Sequence, residues 1–119
     1  MSTRPSLPGE YPEVLLQVRE RLKGQYKSSS GYSVRPGVEG QPFDLQVRVK
    51  ANPLHYFIIH DGGSWEALCV RLGRCIEHAE PGGATVWLVV PDSCAQTAKE
   101  LTPRVCSYRQ EGGELFFQW

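Results

Sequence analysis

Between residues 43 and 50 the chain alternates strictly between apolar and polar side chains, beginning at Phe43 and ending at Lys50. This pattern is typical of a β-strand with one buried face and one polar face. Asn52-Pro53 then predicts a turn, and the apolar run from Tyr56 to Ile59 predicts a central strand covered on both sides.

Apolar side chains recur at helical spacing in two other segments, and a capping box predicts a third helix. The predicted helices run from Pro12 to Lys23, from Trp65 to Ala79, and from a capping box of Ser93 and Gln96 to about Leu101. Further strands are predicted at residues 32–35 and 85–90, and residues 105–109 and 115–119 form a predicted closing hairpin.

These elements predict an α+β fold in which a mixed β-sheet is flanked by helices, in the order α-β-β-β-α-β-α-β-β. The first strands should pair antiparallel, and the helical crossover should place residues 85–90 parallel to a neighbouring strand. Residues 1–10 are interpreted as a flexible tail and residues 11–119 as a single domain.

Charge and composition narrow the range of partners. The 119-residue chain has 13 basic and 13 acidic residues, so it does not favour unspecific attraction to phosphate or to an anionic membrane. It contains neither an apolar run long enough to span a bilayer nor the apolar core of a signal peptide, so we expect a cytoplasmic protein without membrane insertion. The four cysteines are predicted to be free thiols, at least half buried.

Two phrases carry a resemblance to a known superfamily. "PFDLQV" at residues 42–47 and "SWEALCVRLGRCIEHAEPGGATVWLVVP" at residues 64–91 resemble the restriction-endonuclease-like, or PD-(D/E)XK, nucleases. Over roughly residues 12–91 the predicted elements follow the superfamily's core of helix, three strands, helix and strand. The resemblance implies that fold, although the same order would also suit another small α+β domain.

The resemblance also implies a place for catalytic residues, and there the chain departs from the superfamily. Asp44 stands where the superfamily has its aspartate, but Phe57-Ile58-Ile59-His60 fills the carboxylate-x-Lys window, so the second carboxylate is missing. A divalent ion such as Mg²⁺ or Mn²⁺ needs oxygen ligands, and one carboxylate seldom holds it.

Several residues are candidates for restoring the missing chemistry. His60 could replace the lysine, Lys50 or Arg48 could reach in from the neighbouring strand, and Glu13, Glu20 or Glu39 could supply a displaced acid. Alternatively, Asp44 is an ordinary polar residue on an exposed strand face. We therefore expect a catalytically degenerate member without a cofactor, and Mg²⁺ or Mn²⁺ enters only in the alternative of a nuclease centred on Asp44.

Two further groups of residues are candidates for binding. A nucleic-acid-binding face is one possibility, formed by Arg19, Arg21, Lys23, Arg35, Arg48 and Lys50. The C-terminal hairpin is the other, because its last strand is apolar on both faces and must be covered by the chain's own helices or by a partner. Its partner-binding candidates are Leu115, Phe116, Phe117 and Trp119. The sequence thus favours a small protein-binding or assembly module, with a protein partner or a homodimer, and nucleic-acid binding is the alternative.

Overall fold

A computed structural model describes residues 11–112 and 114–119, so the predicted tail at residues 1–10 lies outside the described residues. The three helices are α1 (Tyr11–Gln25), α2 (Trp65–Ala79) and α3 (Ala95–Leu101). The six strands are β1 (Tyr32–Pro36), β2 (Leu45–Val49), β3 (Asn52–Ile59), β4 (Thr85–Pro91), β5 (Val105–Glu111) and β6 (Glu114–Gln118).

All six strands form one sheet, in which they lie side by side in chain order from β1 to β6. Strands β1, β2 and β3 pair antiparallel, β3 to β5 run parallel, and β6 returns antiparallel to β5 as the second strand of a hairpin. The α+β class, the mixed sheet and the parallel placement of β4 are therefore confirmed.

The helices cover opposite faces of the sheet. Helix α1 packs Val14, Val18 and Leu22 onto one face, where they join apolar side chains from β2 to β6. Helix α2 packs on the other face through Leu68 and Leu72, next to α3. Each face is thus buried by helices of matching apolar periodicity, and burial of one such aliphatic side chain stabilises the fold by about 1.5–3 kcal/mol.

The connection between β2 and β3 differs from the predicted turn at Asn52-Pro53. The chain turns at Lys50 and Ala51 instead, with Lys50 in the left-handed region at φ 57°, and Asn52 already belongs to β3. A register shift between Val47 and Arg48 accompanies this arrangement. Proline is tolerated early in β3 because strand starts and irregular positions do not need its missing N–H.

The beginning of α3 also differs from prediction. Ser93 lies within a short 3-10 turn, Asp92–Cys94, and Cys94 occupies the N-cap position without a side-chain hydrogen bond to the helix N–H groups. The predicted capping box of Ser93 and Gln96 is therefore wrong. The 3-10 turn supplies backbone hydrogen bonds at this helix start instead. By contrast, the Ser64 hydroxyl accepts the Ala67 N–H at 3.0 Å and caps the start of α2.

The cysteines are free, and each is buried or partly buried, as predicted. No helix in residues 11–112 or 114–119 has the length and apolar character that a membrane span requires.

Candidate functional site

Asp44 lies just before β2, at the end of the sheet where α1 and α2 both approach. Its Oδ1 accepts the Tyr11 hydroxyl at 2.5 Å, and its Oδ2 accepts the Ile59 backbone N–H at 2.7 Å. The Arg71 guanidinium donates to the same Oδ2 at 2.8 Å. Only 9 % of the Asp44 side chain is exposed, so it is not the solvent-facing strand residue that the alternation suggested.

Both carboxylate oxygens of Asp44 are therefore engaged by donors. Arg71 supplies a positive charge at the carboxylate, and hydrogen bonds to ionised groups are about twice as strong as neutral ones. Glu13, Glu20 and Glu39, the candidates for a second acid, are all exposed. Within the described part of the chain, no three His, Cys, Asp or Glu side chains are grouped so that they could hold a metal ion.

Tyr11 and Arg71 are the contacts of Asp44 that sequence reasoning missed. Burial raises the pKa of the Tyr11 phenol above its ordinary value, and the hydrogen bond to the Asp44 carboxylate raises it further, so Tyr11 remains a donor. Arg71 follows the apolar Leu68 by three positions and precedes Leu72, which places it at the margin of the buried stripe of α2. That position was the only signal that could have identified it.

His60 follows β3 at the same end of the sheet as Asp44. Its ring is buried and lies edge-on to Trp65, with centroids 5.9 Å apart. Burial lowers the pKa of His60, the Asp61 carboxylate raises it less strongly, and Arg71 lowers it, so the imidazole is held neutral. A buried neutral imidazole is a poor substitute for the charged lysine of a nuclease site.

The other basic candidates for that chemistry lie elsewhere. Lys50 sits in the turn at the far end of β2, six residues beyond Asp44, or about 20 Å along an extended strand. The Arg48 guanidinium donates to the Ala51 carbonyl at 2.6 Å. His60 therefore directly follows Ile59, whose N–H binds Asp44, whereas Lys50 and Arg48 lie towards the other end of β2.

The residues of the candidate nucleic-acid face are divided between the two sides of the sheet. Arg19, Arg21 and Lys23 belong to α1, on one side. Val34 and Val47 are register partners that pack towards α1, so the neighbouring Arg35 and Arg48 project to the opposite side. Lys50 is exposed in its turn. The six residues therefore do not lie on one face of the sheet.

An aromatic pocket of about 120 Å³ opens on the α1 side of the sheet, between the end of α1 and the C-terminus. It is lined by Leu22, Gln25, Tyr26, His55, Phe57, Trp87 and Trp119. Trp119 lies edge-on to Phe57 and Trp87, with centroids 5.8 and 6.0 Å away. The volume approaches that of a cavity that admits a benzene ring.

His55 contributes a titratable imidazole to the lining of this pocket, and its surroundings favour the neutral form. Its Nδ1 pairs with the Thr85 hydroxyl, and burial together with Arg104 lowers the pKa of the imidazole. The pocket could not be predicted from the sequence, because its lining comes from the end of α1, from β3 and β4, and from the C-terminus.

The C-terminal strand β6 divides its side chains between core and solvent. Leu115 is buried and Phe117 is partly buried among the residues that pack with α1, and the Arg21 guanidinium lies 5.0 Å from the Phe117 ring centroid. Phe116 is 39 % exposed and Trp119 is 46 % exposed. In the described chain, these two are the only aromatic residues among the exposed large hydrophobic ones.

Comparisons of the chain with protein-family models, with curated proteins and with solved structures found no match in any of the three.

Proposed function

We propose that this chain is a non-catalytic domain of restriction-endonuclease-like architecture that serves as a protein-binding or assembly module. Its association surface is centred on the exposed aromatic residues Phe116 and Trp119 of the C-terminal hairpin. The observation that carries the proposal is the pairing of this exposed aromatic surface with an Asp44 carboxylate already committed to internal contacts.

The contacts of Asp44 support the absence of catalysis. A metal-dependent nuclease needs two carboxylates that are free to bind an ion, whereas Asp44 accepts hydrogen bonds from Tyr11, Ile59 and Arg71. A divalent ion at this carboxylate would have to displace a guanidinium held at 2.8 Å. In this arrangement Asp44 serves as a partner in a structural ion pair with Arg71.

The exposed aromatic residues support association. Phe and Trp side chains bury large areas and dominate the energetics of many interfaces, whereas scattered exposed aliphatic residues are ordinary. Phe116 and Trp119 flank the edge strand on opposite faces of the sheet: Phe116 lies beside Arg109, and Trp119 lies against Phe57 and Trp87 on the α1 side, where it lines the aromatic pocket. A partner can therefore combine contact with the edge of β6 and insertion of an apolar side chain beside Trp119.

The layout of the layers supports the architectural part of the proposal. Helix α1 precedes a three-strand meander, and α2 then crosses to β4, which is parallel to β3. Since α1 and α2 lie on opposite faces of the sheet, the core has three layers. This arrangement agrees with the helix, three strands, helix and strand that the resemblance implies.

The proposal is tested by capturing binding partners from a lysate of the source cells with a tagged chain, with and without nuclease treatment. The Phe116→Ala/Trp119→Ala variant is compared with a matched control, Leu16→Ala/Val70→Ala, which removes exposed aliphatic groups from α1 and α2. Melting temperatures verify that both variants are folded, because Trp119 also contacts Phe57 and Trp87.

We expect a defined protein, either a partner or untagged copies of this chain, that resists nuclease treatment. It should be lost with the aromatic variant and retained with the control. Loss of all captured material on nuclease treatment would instead assign the chain to nucleic-acid binding. Equal capture by the two folded variants would show that the aromatic surface is not the site of association.

A further inference from the structure

The two outer strands of the sheet are protected to different degrees. At one edge, β1 carries the exposed Arg35 and ends at Pro36, which has no N–H to offer another strand. At the other edge, β6 contains no Lys, Arg or Pro, and its single charged residue is Glu114 at the start. Proteins commonly use such charges and prolines to block edge pairing, so β6 is the edge open to another strand.

We propose that β6 pairs with β6 of a second copy of this chain, antiparallel about a two-fold axis, and joins two six-stranded sheets. This inference rests on the proposed function and assigns an occupant to the same surface. Among the described residues, β6 pairs with β5 alone, so its outer edge is available for the backbone hydrogen bonds of an added strand.

The sequence of β6 is complementary to itself in this arrangement. Full antiparallel overlap of the five residues Glu114–Gln118 places Phe116 on the two-fold axis, opposite Phe116 of the second copy. Glu114 then faces Gln118, and Leu115 faces Phe117. No like charges oppose one another, and the aromatic and aliphatic pairs are of the kind that stabilises neighbouring strands.

The neighbouring strand extends this complementarity. Arg109 is the register partner of Phe116, and its guanidinium lies 5.3 Å from the centroid of the Phe116 ring. Arg109 also forms an ion pair with Glu111. The joined sheet therefore carries a row of Arg109, Phe116, Phe116 and Arg109 across the axis, in which the charges lie outside the aromatic pair.

The size of the contact sets the strength of the dimer. One five-residue strand edge with its flanking aromatic residues buries less surface than the roughly 1,600 Å² of a standard stable interface. The association is therefore reversible and depends on protein concentration. Sedimentation of the full chain over a wide concentration range should show a monomer–dimer equilibrium.

A charge on the axis tests the surface. Phe116→Lys places two lysines opposite each other across the axis, and the variant should remain monomeric at concentrations where the unmodified chain dimerises. Val38→Lys is the control, because Val38 is 66 % exposed and lies outside the strands. It should dimerise like the unmodified chain, and circular dichroism should show that both variants are folded.

A cysteine on the axis tests the register. Residues opposite each other in antiparallel strands have Cα atoms about 4.5–5.5 Å apart, within disulfide range. In a background with Cys69→Ser and Cys94→Ser, the Phe116→Cys variant should form a disulfide-linked dimer on mild oxidation. Gln118→Cys should not, since the two copies of that position lie about 13 Å apart along the strands.

Each outcome decides the inference. A chain that is monomeric at all concentrations, a dimer that tolerates Phe116→Lys, or equal cross-linking at positions 116 and 118 would overturn it. The proposed function would survive a monomeric result if the aromatic surface still captured a protein partner. If the unmodified chain neither dimerised nor captured a protein partner, both proposals would be wrong.

Discussion

Asp44 joins three separate parts of the fold through one carboxylate. It contacts Tyr11 at the start of α1, the backbone of Ile59 at the end of β3, and Arg71 in the second turn of α2. A carboxylate with three donors in a mostly buried position organises its surroundings, and its removal leaves those donors without a partner.

We predict that Asp44→Asn lowers the free energy of unfolding by about 3 kcal/mol, because a neutral amide cannot pair with the Arg71 charge and satisfy the two other donors. Urea denaturation measures the change. The control is Asp61→Asn, because Asp61 is exposed and, among the residues that the structure describes, accepts a single hydrogen bond, from the Gly63 N–H at 2.9 Å. A stability loss no larger than that of the control would show that Asp44 has no structural role, and Mn²⁺ binding assays would then be required.

The buried His60 makes stability depend on pH. Burial lowers its pKa in the folded state, whereas the unfolded chain takes up the proton near the ordinary value of 6.5. Unfolding therefore takes up a proton once the pH falls through about 6.5, and the folded state loses stability as the pH falls further, until the folded pKa is reached.

We predict that the free energy of unfolding falls as the pH is lowered from about 7.5 to about 5.5. The free energy of unfolding of the His60→Gln variant should depend less steeply on pH. His55→Gln should reduce the pH dependence further, since burial and Arg104 lower the pKa of His55 as well. Denaturant titrations at several pH values give the slopes. An unchanged slope in both variants would show that neither imidazole is held neutral.

At the scale of residues, the sequence indicated which residues matter, such as Asp44, but not which side chains they contact. The Pro-x-Asp phrase and the resemblance drew attention to Asp44, and the missing carboxylate was visible in the window ending at His60. The pairing with Arg71 was not visible, because 27 positions separate the two residues and only the packing of α2 across the sheet brings them together.

At the scale of elements, the link between β1 and β2 depends on a close backbone approach. The Gly37 N–H donates to the Asp44 carbonyl at 2.8 Å, and a Cβ at Gly37 would lie 2.1 Å from the Phe43 carbonyl oxygen. Because both groups belong to the backbone, neither can move aside by changing a rotamer. This contact fixes the loop that delivers Asp44 to its partners.

We predict that Gly37→Ala destabilises the protein by about 2 kcal/mol through this clash. Gly73→Ala should do the opposite and stabilise it by about 1 kcal/mol, since Gly73 lies within α2 with open space around it and alanine favours the helix. Thermal and urea unfolding of the two variants measure both effects. A neutral Gly37→Ala would contradict the described approach of the two backbone segments.

Helices and strands with a regular spacing of apolar residues could be predicted from the sequence, whereas the residues at which they begin and end could be predicted less well. The repeat of Leu68, Leu72 and Ala79 defined α2, and the alternation around Leu45 and Val47 defined β2. The turn at Lys50-Ala51 was missed because Asn52-Pro53 is the stronger turn signal, although its proline is accommodated at the start of β3.

At the scale of the whole molecule, the sheet has one protected edge and one open edge. Pro36 and Arg35 belong to the first, and Phe116 belongs to the second. The sequence predicted an aromatic edge strand at the end of the domain, and the strand order confirms its place at an edge. Its position beside the pocket lined by Trp87 and Trp119 was not predicted. The basic residues were less predictable, because their division between two faces depends on the register of β1 and β2.

Amide hydrogen exchange tests the location of the association surface most directly. The dilute, isolated chain is compared with the assembled form, obtained either at high concentration or with a captured protein partner. We predict slower exchange in Glu114–Gln118 on assembly and unchanged exchange in Tyr32–Pro36, the strand at the other edge. Unchanged exchange in Glu114–Gln118, with protection appearing instead in Tyr32–Pro36 or on α1, would contradict an association surface at the C-terminal hairpin.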